Sequence, residues 1–281
     1  MLRLYTLLWY LALPFVTLAA LRRARRERHS GIAVPALSLA QYWRERRGFL
    51  RVASSSASAT SSESDAGPVT PARARPGTTF WVHAASVGEV QLAALLIKAL
   101  RERPPARALA LSCQTATASA RAQELLPDIS LSYAPYDLPA AVHRRFQLLR
   151  PAALVLIETE LWPNLLAEAA RQHLPVLVAS ARLSARSART YRTLRALLRP
   201  SLERTVWVGA QTAADAERFS SLGVPAARLT VTGNLKFDCP LPPGMRERGA
   251  AWRARLGQRP VWVAGSTHPA EQTILLEAHR L

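Results

Sequence analysis

From Phe80 onward, short apolar runs alternate with longer segments whose apolar residues recur every three or four positions. The runs Phe80–Ala84, Ala108–Cys113, Ser130–Ala134, Ala152–Ile157, Val176–Ala179, Val206–Ala210 and Leu229–Thr232 read as strands. Alanine- and leucine-rich helical segments lie between most of them. That pattern predicts an α/β fold: a Rossmann-like parallel sheet covered by helices on both faces. Ligands of such sheets bind beyond the C-terminal ends of the strands, so the loops that follow the strands are where chemistry is expected.

Ahead of Phe80 the pattern changes. Leu4–Leu21 carries no charge, and about 18 apolar residues just suffice to cross a bilayer. The run "RRARRER" follows directly, whereas only Arg3 precedes it. The positive-inside rule then places the bulk of the chain on the cytoplasmic side. A cleaved signal would carry its charges before the apolar run. Pro14 and the marginal length leave a helix lying in the membrane interface open. "YWRERRGFL" (Tyr42–Leu50) mixes arginine with aromatic residues. It suits a membrane surface, or a solvated helix with one buried stripe. Ala53–Gly77 is serine-rich and low in complexity, which predicts a disordered linker or insertion. The expected organisation is an anchor and basic flank (1–28), a basic membrane-proximal segment (29–52), the linker (53–77) and a Rossmann-like domain (78–240). An interdomain linker with the start of a second domain (241–281) follows.

Composition narrows the partners. The 281 residues are 49% hydrophobic, enough for one large core or two modest ones. The formal net charge is +18, and the only lysines are Lys98 and Lys236. Such a surface is drawn to anionic lipid, phosphate or nucleic acid. With no zinc spacing and no aromatic RNA-binding pattern, nucleic acid is not expected, and an anionic membrane is the better partner. Cys113 and Cys239 match no metal spacing and suggest a reduced compartment.

Four loops carry candidate chemistry. In "HAASVGEV", Ser86 and Glu89 have the spacing of a capping box. The same placement suits a general base, because a carboxylate in a first helical turn can take a proton from an incoming hydroxyl. Gly88 would let backbone or substrate come close. In "CQTATASAR", Thr115, Thr117 and Ser119 gather at a probable helix start, fit either for capping or for an anion. In "IETELWPNLL", Glu158 and Glu160 leave a buried strand directly, and Trp162-Pro163 opens the next helix. In "VTGNLKFD", a turn at Gly233-Asn234 precedes Lys236, a lysine where the chain otherwise uses arginine.

With those blocks, "ASARLSARS" and "WVAGSTH" follow in an order and rough spacing that resemble the bacterial 3-deoxy-D-manno-octulosonic acid (Kdo) transferases. The resemblance covers nearly the whole chain except the serine-rich stretch. It implies a GT-B glycosyltransferase of two Rossmann-like domains, acting at the cytoplasmic face of the bacterial inner membrane through a single N-terminal anchor. The implied reaction moves Kdo from CMP-Kdo to a hydroxyl of a lipid A precursor with inversion, without metal or other cofactor. By motif, Glu89 becomes the general base, and Glu158 and Lys236 stabilise the transition state. Ser86, Gly88, Thr115, Thr117, Ser119 and Glu160 are left as candidates for holding the acceptor or an anion. Thr115-Ala116-Thr117-Ala118 departs from the family's usual Thr-Pro-Thr-Gly. The run from Arg259 reads as one strand and part of a helix of the donor domain, whose cytidine-nucleotide motifs are absent from the sequence. The resemblance therefore implies a truncated chain, inactive as it stands, whose CMP-Kdo contacts belong to the missing half. Two other readings are another GT-B transferase of envelope synthesis, such as a heptosyl- or N-acetylglucosaminyltransferase, and a non-catalytic tethered domain that binds acidic lipid.

Overall fold

The structure is a computed structural model that describes residues 1–29, 39–51, 77–105, 107–239, 241 and 244–280. The serine-rich segment lies outside the described residues apart from Gly77. Two helices come first, α1 (Leu2–His29) and α2 (Leu39–Arg46). Strands and helices then alternate: β1 (Thr79–His83), α3 (Val87–Arg101), β2 (Ala108–Cys113), α4 (Ala116–Leu125), β3 (Ser130–Tyr133), α5 (Pro139–Leu149) and β4 (Pro151–Ile157). The alternation continues with α6 (Pro163–Arg171), β5 (Val176–Ala181), the pair α7 (Ala185–Thr193) and α8 (Arg195–Thr205), β6 (Val206–Ala210), α9 (Ala213–Leu222) and β7 (Leu229–Val231). Two further helices, α10 (Met245–Leu256) and α11 (Pro269–Arg280), lie beyond.

All seven strands are parallel, in the order β3-β2-β1-β4-β5-β6-β7. This is the Rossmann-like doubly wound sheet that the apolar runs predict. Successive residues point to opposite faces, so β1, β2, β4 and β5 each feed two cores. Leu154 and Leu156 join Trp81, Phe146, Leu166 and Leu202 on one face. Val155 and Ile157 join Val82, Ile97 and Leu111 on the other. Helix α3 therefore covers one face and α6 the other, and the chain changes sides between β1 and β4. That is the topological switch point, where the loops after two neighbouring strands part and leave a crevice.

Local chemistry starts the helices. Ser86, Thr115, Ser184 and Thr212 cap α3, α4, α7 and α9 by accepting a backbone N–H of the first turn. Pro139 and Pro163 open α5 and α6, where a missing N–H is harmless.

The Tyr42–Leu50 segment carries a buried stripe, while Arg44 and Arg47 stay exposed. Glu45 and Arg46 are buried. Arg46 lies over the rings of Tyr42, Tyr133 and Tyr136 and donates to Gln114 and to the Ala134 carbonyl. Glu45 accepts the Tyr133 N–H at 2.6 Å and pairs with Arg51 at 2.9 Å. The buried Arg145 of α5 completes the clamp, donating to the carbonyls of Glu45, Gly48, Phe49 and Tyr133 and to Ser132 Oγ. Glu45 and Arg46 can be buried because ion pairing, backbone hydrogen bonds and aromatic rings meet most of their charge there, although Arg46 Nε is left without a partner.

Helix α1 contains an 18-residue window, Leu2–Ala19, long and apolar enough to cross a membrane. Its first turns also dock on the sheet domain. Tyr5 donates to Asp137 at 2.9 Å, Thr6 to Asn164 at 3.2 Å, and Trp9 packs against Tyr136 and Trp162. The other side of the helix leaves Leu4, Leu7, Leu8, Leu11, Phe15 and Leu18 exposed.

The chain divides into compact units at Met1–Asp238 and Cys239–Leu281. Within the second, the expected strand at Val261–Gly265 is not formed, while the helix after it is. An apolar run needs a neighbouring strand for its ladder bonds, and the described residues of 239–281 hold none.

Candidate active site

The β1–β4 crevice gathers the carboxylates. Ser86 Oγ receives the Glu89 N–H at 3.3 Å and donates to Glu89 Oε1 at 2.9 Å. Glu89 Oε2 reaches past the cap to accept the Ala85 N–H at 2.7 Å. The capping box is real, shifted back by one residue. Glu89 is only half-withdrawn from solvent. Burial raises its pKa above the ordinary carboxylate value, the Ala85 N–H pulls back, and the nearby Glu160 carboxylate raises it further. Gly88 sits in the same turn. A Cβ there would meet only Ser86 Oγ, at 4.0 Å. The fold therefore does not demand glycine at this position, and the space in front of it is open.

Glu160 leaves the end of β4 and turns to the floor of the crevice. It accepts the Trp162 indole N–H at 2.6 Å and lies 3.7 Å from His83 Nε2. Burial alone would raise its pKa, but the hydrogen bonds and charge supplied by His83 and Trp162 hold it below the ordinary value. His83 is itself buried, with Nδ1 within 3.1 Å of the Ser112 carbonyl and hydroxyl. Two carboxyl groups on one crevice are thus pushed apart, one toward holding a proton and one toward staying ionised. That separation is how enzymes divide acid-base labour. Tyr191 of α7 closes the side of this loop, donating to the Thr159 carbonyl at 3.2 Å; burial and Glu160 push its phenol up to about 12.

Glu158 faces a different neighbour. Its backbone is left-handed, with φ of 61°, and its N–H is spent on the Ala179 carbonyl. Lys236 Nζ lies 3.5 Å from its carboxylate. Lys236 stands in a 3₁₀ turn (Leu235–Asp238) whose N–H groups bond to Asn234 Oδ1 and Ser180 Oγ. Ser180, at the end of β5, is also left-handed with φ of 50° and accepts the Gln211 amide. They are two of the five non-glycine residues with positive φ among the described residues, a conformation that costs roughly 1–3 kcal/mol each. The 3₁₀ turn packs against α3, the helix that Glu89 opens.

Thr115 caps α4 by accepting the Ala118 N–H and lies 3.1 Å from Thr117 Oγ1. Ser119 is buried beneath Arg51 at 3.5 Å. Glu89, Glu158, Glu160 and Lys236 therefore share the C-terminal edge of the sheet with the Thr115–Thr117 cap, while Ser119 turns into the domain. Sequence reasoning passed over His83, Ser180 and Tyr191. A histidine closing an otherwise apolar strand was a readable signal for the first. The other two depend on backbone geometry and a long-range contact.

Comparison with known proteins adds the lineage. A family model described as 3-deoxy-D-manno-octulosonic-acid transferase (kdotransferase) matches residues 41–239. The chain is 35% identical over 207 residues to a 3-deoxy-D-manno-octulosonic acid transferase of Haemophilus influenzae, covering 73% of this chain and 48% of that one. It is 39% identical over 204 residues to the transferase of the same name from Bordetella pertussis, covering 70% and 46%. The chain thus spans about half the length of these relatives. Among solved structures it is similar to a UDP-GlcNAc 2-epimerase of Neisseria meningitidis, with 16% identity, a TM-score of 0.43 and coverage of 56% and 46%.

Proposed function

Because the chain belongs to the 3-deoxy-D-manno-octulosonic-acid transferase family, we propose that it is the acceptor-side domain of an enzyme that moves Kdo from CMP-Kdo to a lipid A precursor. The observation that carries this reading is Glu89. Its carboxylate sits at the crevice mouth on a capped helix start, with open space at Gly88 in front and Glu160 behind.

In the proposed reaction Glu89 takes the proton of the acceptor hydroxyl. The freed oxygen forms a bond to the anomeric carbon of Kdo, and the bond from that carbon to the phosphate oxygen breaks. CMP leaves with the electron pair, and attack from the opposite face inverts the centre. Raised basicity serves this step, since a base works best with a pKa nearer the working pH. Glu158 and Lys236, 3.5 Å apart, stabilise opposite charges as they develop on the sugar and the leaving phosphate. The strained backbone of Glu158 and the bonded turn under Lys236 hold the pair ready. The residues His83 and Trp162 keep Glu160 ionised and in place. Contacts to the cytidine nucleotide belong to the part of the relatives that this chain does not span.

The exposed apolar side of α1 and the arginine excess bring the domain to an anionic bilayer, on the cytoplasmic face of the inner membrane. A tethered, cationic enzyme meets a phosphorylated lipid acceptor in two dimensions. The test is mass spectrometry of a lipid A precursor incubated with CMP-Kdo and this chain fused to the C-terminal half of the Haemophilus influenzae relative. A product heavier by one Kdo, dependent on CMP-Kdo, supports the reading. Lipid binding without transfer would favour a non-catalytic tethered domain.

A further inference from the structure

A cleft of about 400 Å³ runs between α1 and the starts of α5 and α6. Its size falls within the roughly 300–1,000 Å³ of small-molecule sites. Leu2, Leu7, Tyr10 and Pro139 supply apolar walls, and Arg3 is the charged residue of its lining. The two remaining polar residues are occupied with each other and with the domain. Thr6 donates to Asn164, and Asn164 donates to the Asp137 carbonyl at 2.6 Å.

The cleft is held in shape by the domain itself. Buried Asp137 accepts the N–H groups of Asn164 and Leu165 and the Tyr5 hydroxyl, which ties α1 to the start of α6. Trp9 packs on Tyr136 and on Trp162, the indole that bonds Glu160. A helix crossing the bilayer along Leu2–Ala19 would have to pull Tyr5 and Thr6 off these partners and carry them into hydrocarbon, a costly loss of hydrogen bonds. The docked helix instead turns Leu4, Leu8, Leu11 and Phe15 outward, and Leu7 belongs both to that apolar face and to the cleft. Leu7 therefore joins the exposed apolar face of α1 to the cleft, and Arg3 lines the same cleft.

We propose that this cleft holds one acyl chain of a phosphate-bearing membrane lipid, with the head group at Arg3. The inference rests on α1 facing the bilayer, and it deepens the functional reading by assigning a seat to the lipid partner beside the catalytic crevice.

The experiment uses the whole chain on vesicles of phosphatidylcholine doped with phosphatidic acid whose acyl chain carries a diazirine. After photolysis, mass spectrometry maps the labelled residues. Labels on Leu2, Leu7 and Tyr10 and, across the cleft, on Pro139 are expected. Thr6→Trp fills the cleft from the middle and Leu7→Phe narrows it from α1. In both variants Pro139 labelling should be lost while vesicle flotation persists, and Leu7→Phe decides if Thr6→Trp loosens the helix. Arg3→Gln should reduce the preference for phosphatidic acid over the same chain on phosphatidylcholine by roughly fivefold, the scale of one basic side chain at an anionic lipid surface. Labels confined to Leu4, Leu8, Leu11 and Phe15 would overturn the proposal, as would Pro139 labelling that survives in both filled variants. No turnover is needed, so failure here leaves the transfer reaction standing, and failure of transfer leaves the cleft testable.

Discussion

Glu160 lies 3.7 Å from His83 Nε2 at the point where β1 and β4 part, and the same carboxylate raises the pKa of Glu89. One acid is thereby held ionised by a buried imidazole and an indole, while the other is made more basic. Glu160→Gln should therefore lower the pKa of Glu89, because it removes one of the causes that raise it. Carbon-13 NMR titration of glutamate-labelled protein reads this directly. An unchanged Glu89 titration would separate the two groups.

Stability should depend on pH with opposite sign at these two residues. The folded-state pKa of Glu89 lies above its unfolded value of about 4.3. The group therefore costs stability as pH rises from about 4.3 through that raised pKa. Glu89→Gln should gain on the wild type across that window. The folded-state pKa of Glu160 is lowered, so its contribution is present above about 4.3 and lost as pH falls through the lowered value. Glu160→Gln should compare worst with the wild type above that window. Urea unfolding at a series of pH values checks both slopes.

Gly88→Ala separates fold from function. The position is in the first turn of α3, with open space around a new Cβ. Alanine should stabilise the domain by about 0.5–1 kcal/mol through helix propensity. It should nonetheless slow transfer in the fused enzyme by at least about tenfold, since a methyl at the mouth displaces the acceptor. Chemical denaturation and turnover assays together test this. A variant that is both more stable and fully active would clear Gly88 of any role.

Arg145→Met should cost about 3–5 kcal/mol, the scale for breaking a buried, hydrogen-bonded charge network. All its bonds to Glu45, Gly48, Phe49, Ser132 and Tyr133 go at once. Limited proteolysis should then cut first near α2, which loses its clamp.

Much of this molecule was legible in the sequence. The seven runs became seven parallel strands, and central ones such as Leu154–Ile157 are apolar throughout because both faces of the sheet are covered there. The capping box at Ser86 and Glu89 formed because its partners are local. What was missed depends on distant parts of the chain. The inward turn of Glu45 and Arg46 needs β3 and α5. The docking of Tyr5 needs Asp137, 132 residues away. The strain at Ser180 appears only once β5 ends beside the Lys236 turn. The expected strand near Trp262 failed for the converse reason, having no ladder partner among the described residues of its own unit.

Lys236→Arg preserves charge but not shape. The lysine is half-exposed, and its pairing with Glu158 is long at 3.5 Å, so stability should move by less than about 1 kcal/mol. Turnover of the fused enzyme should nevertheless fall at least about tenfold, because a planar guanidinium cannot take the place of a compact ammonium. Unchanged rate constants would show that any cation serves.

The most direct test of the account is turnover of Glu89→Gln in the fused enzyme, with CMP-Kdo and a lipid A precursor. Glutamine can still accept the Ala85 N–H, so the fold and lipid binding should persist while transfer falls by at least about 100-fold, the scale of losing a general base. Activity within a few-fold of the wild type, with the fold intact by circular dichroism, would contradict the account and leave Glu89 as a helix cap alone.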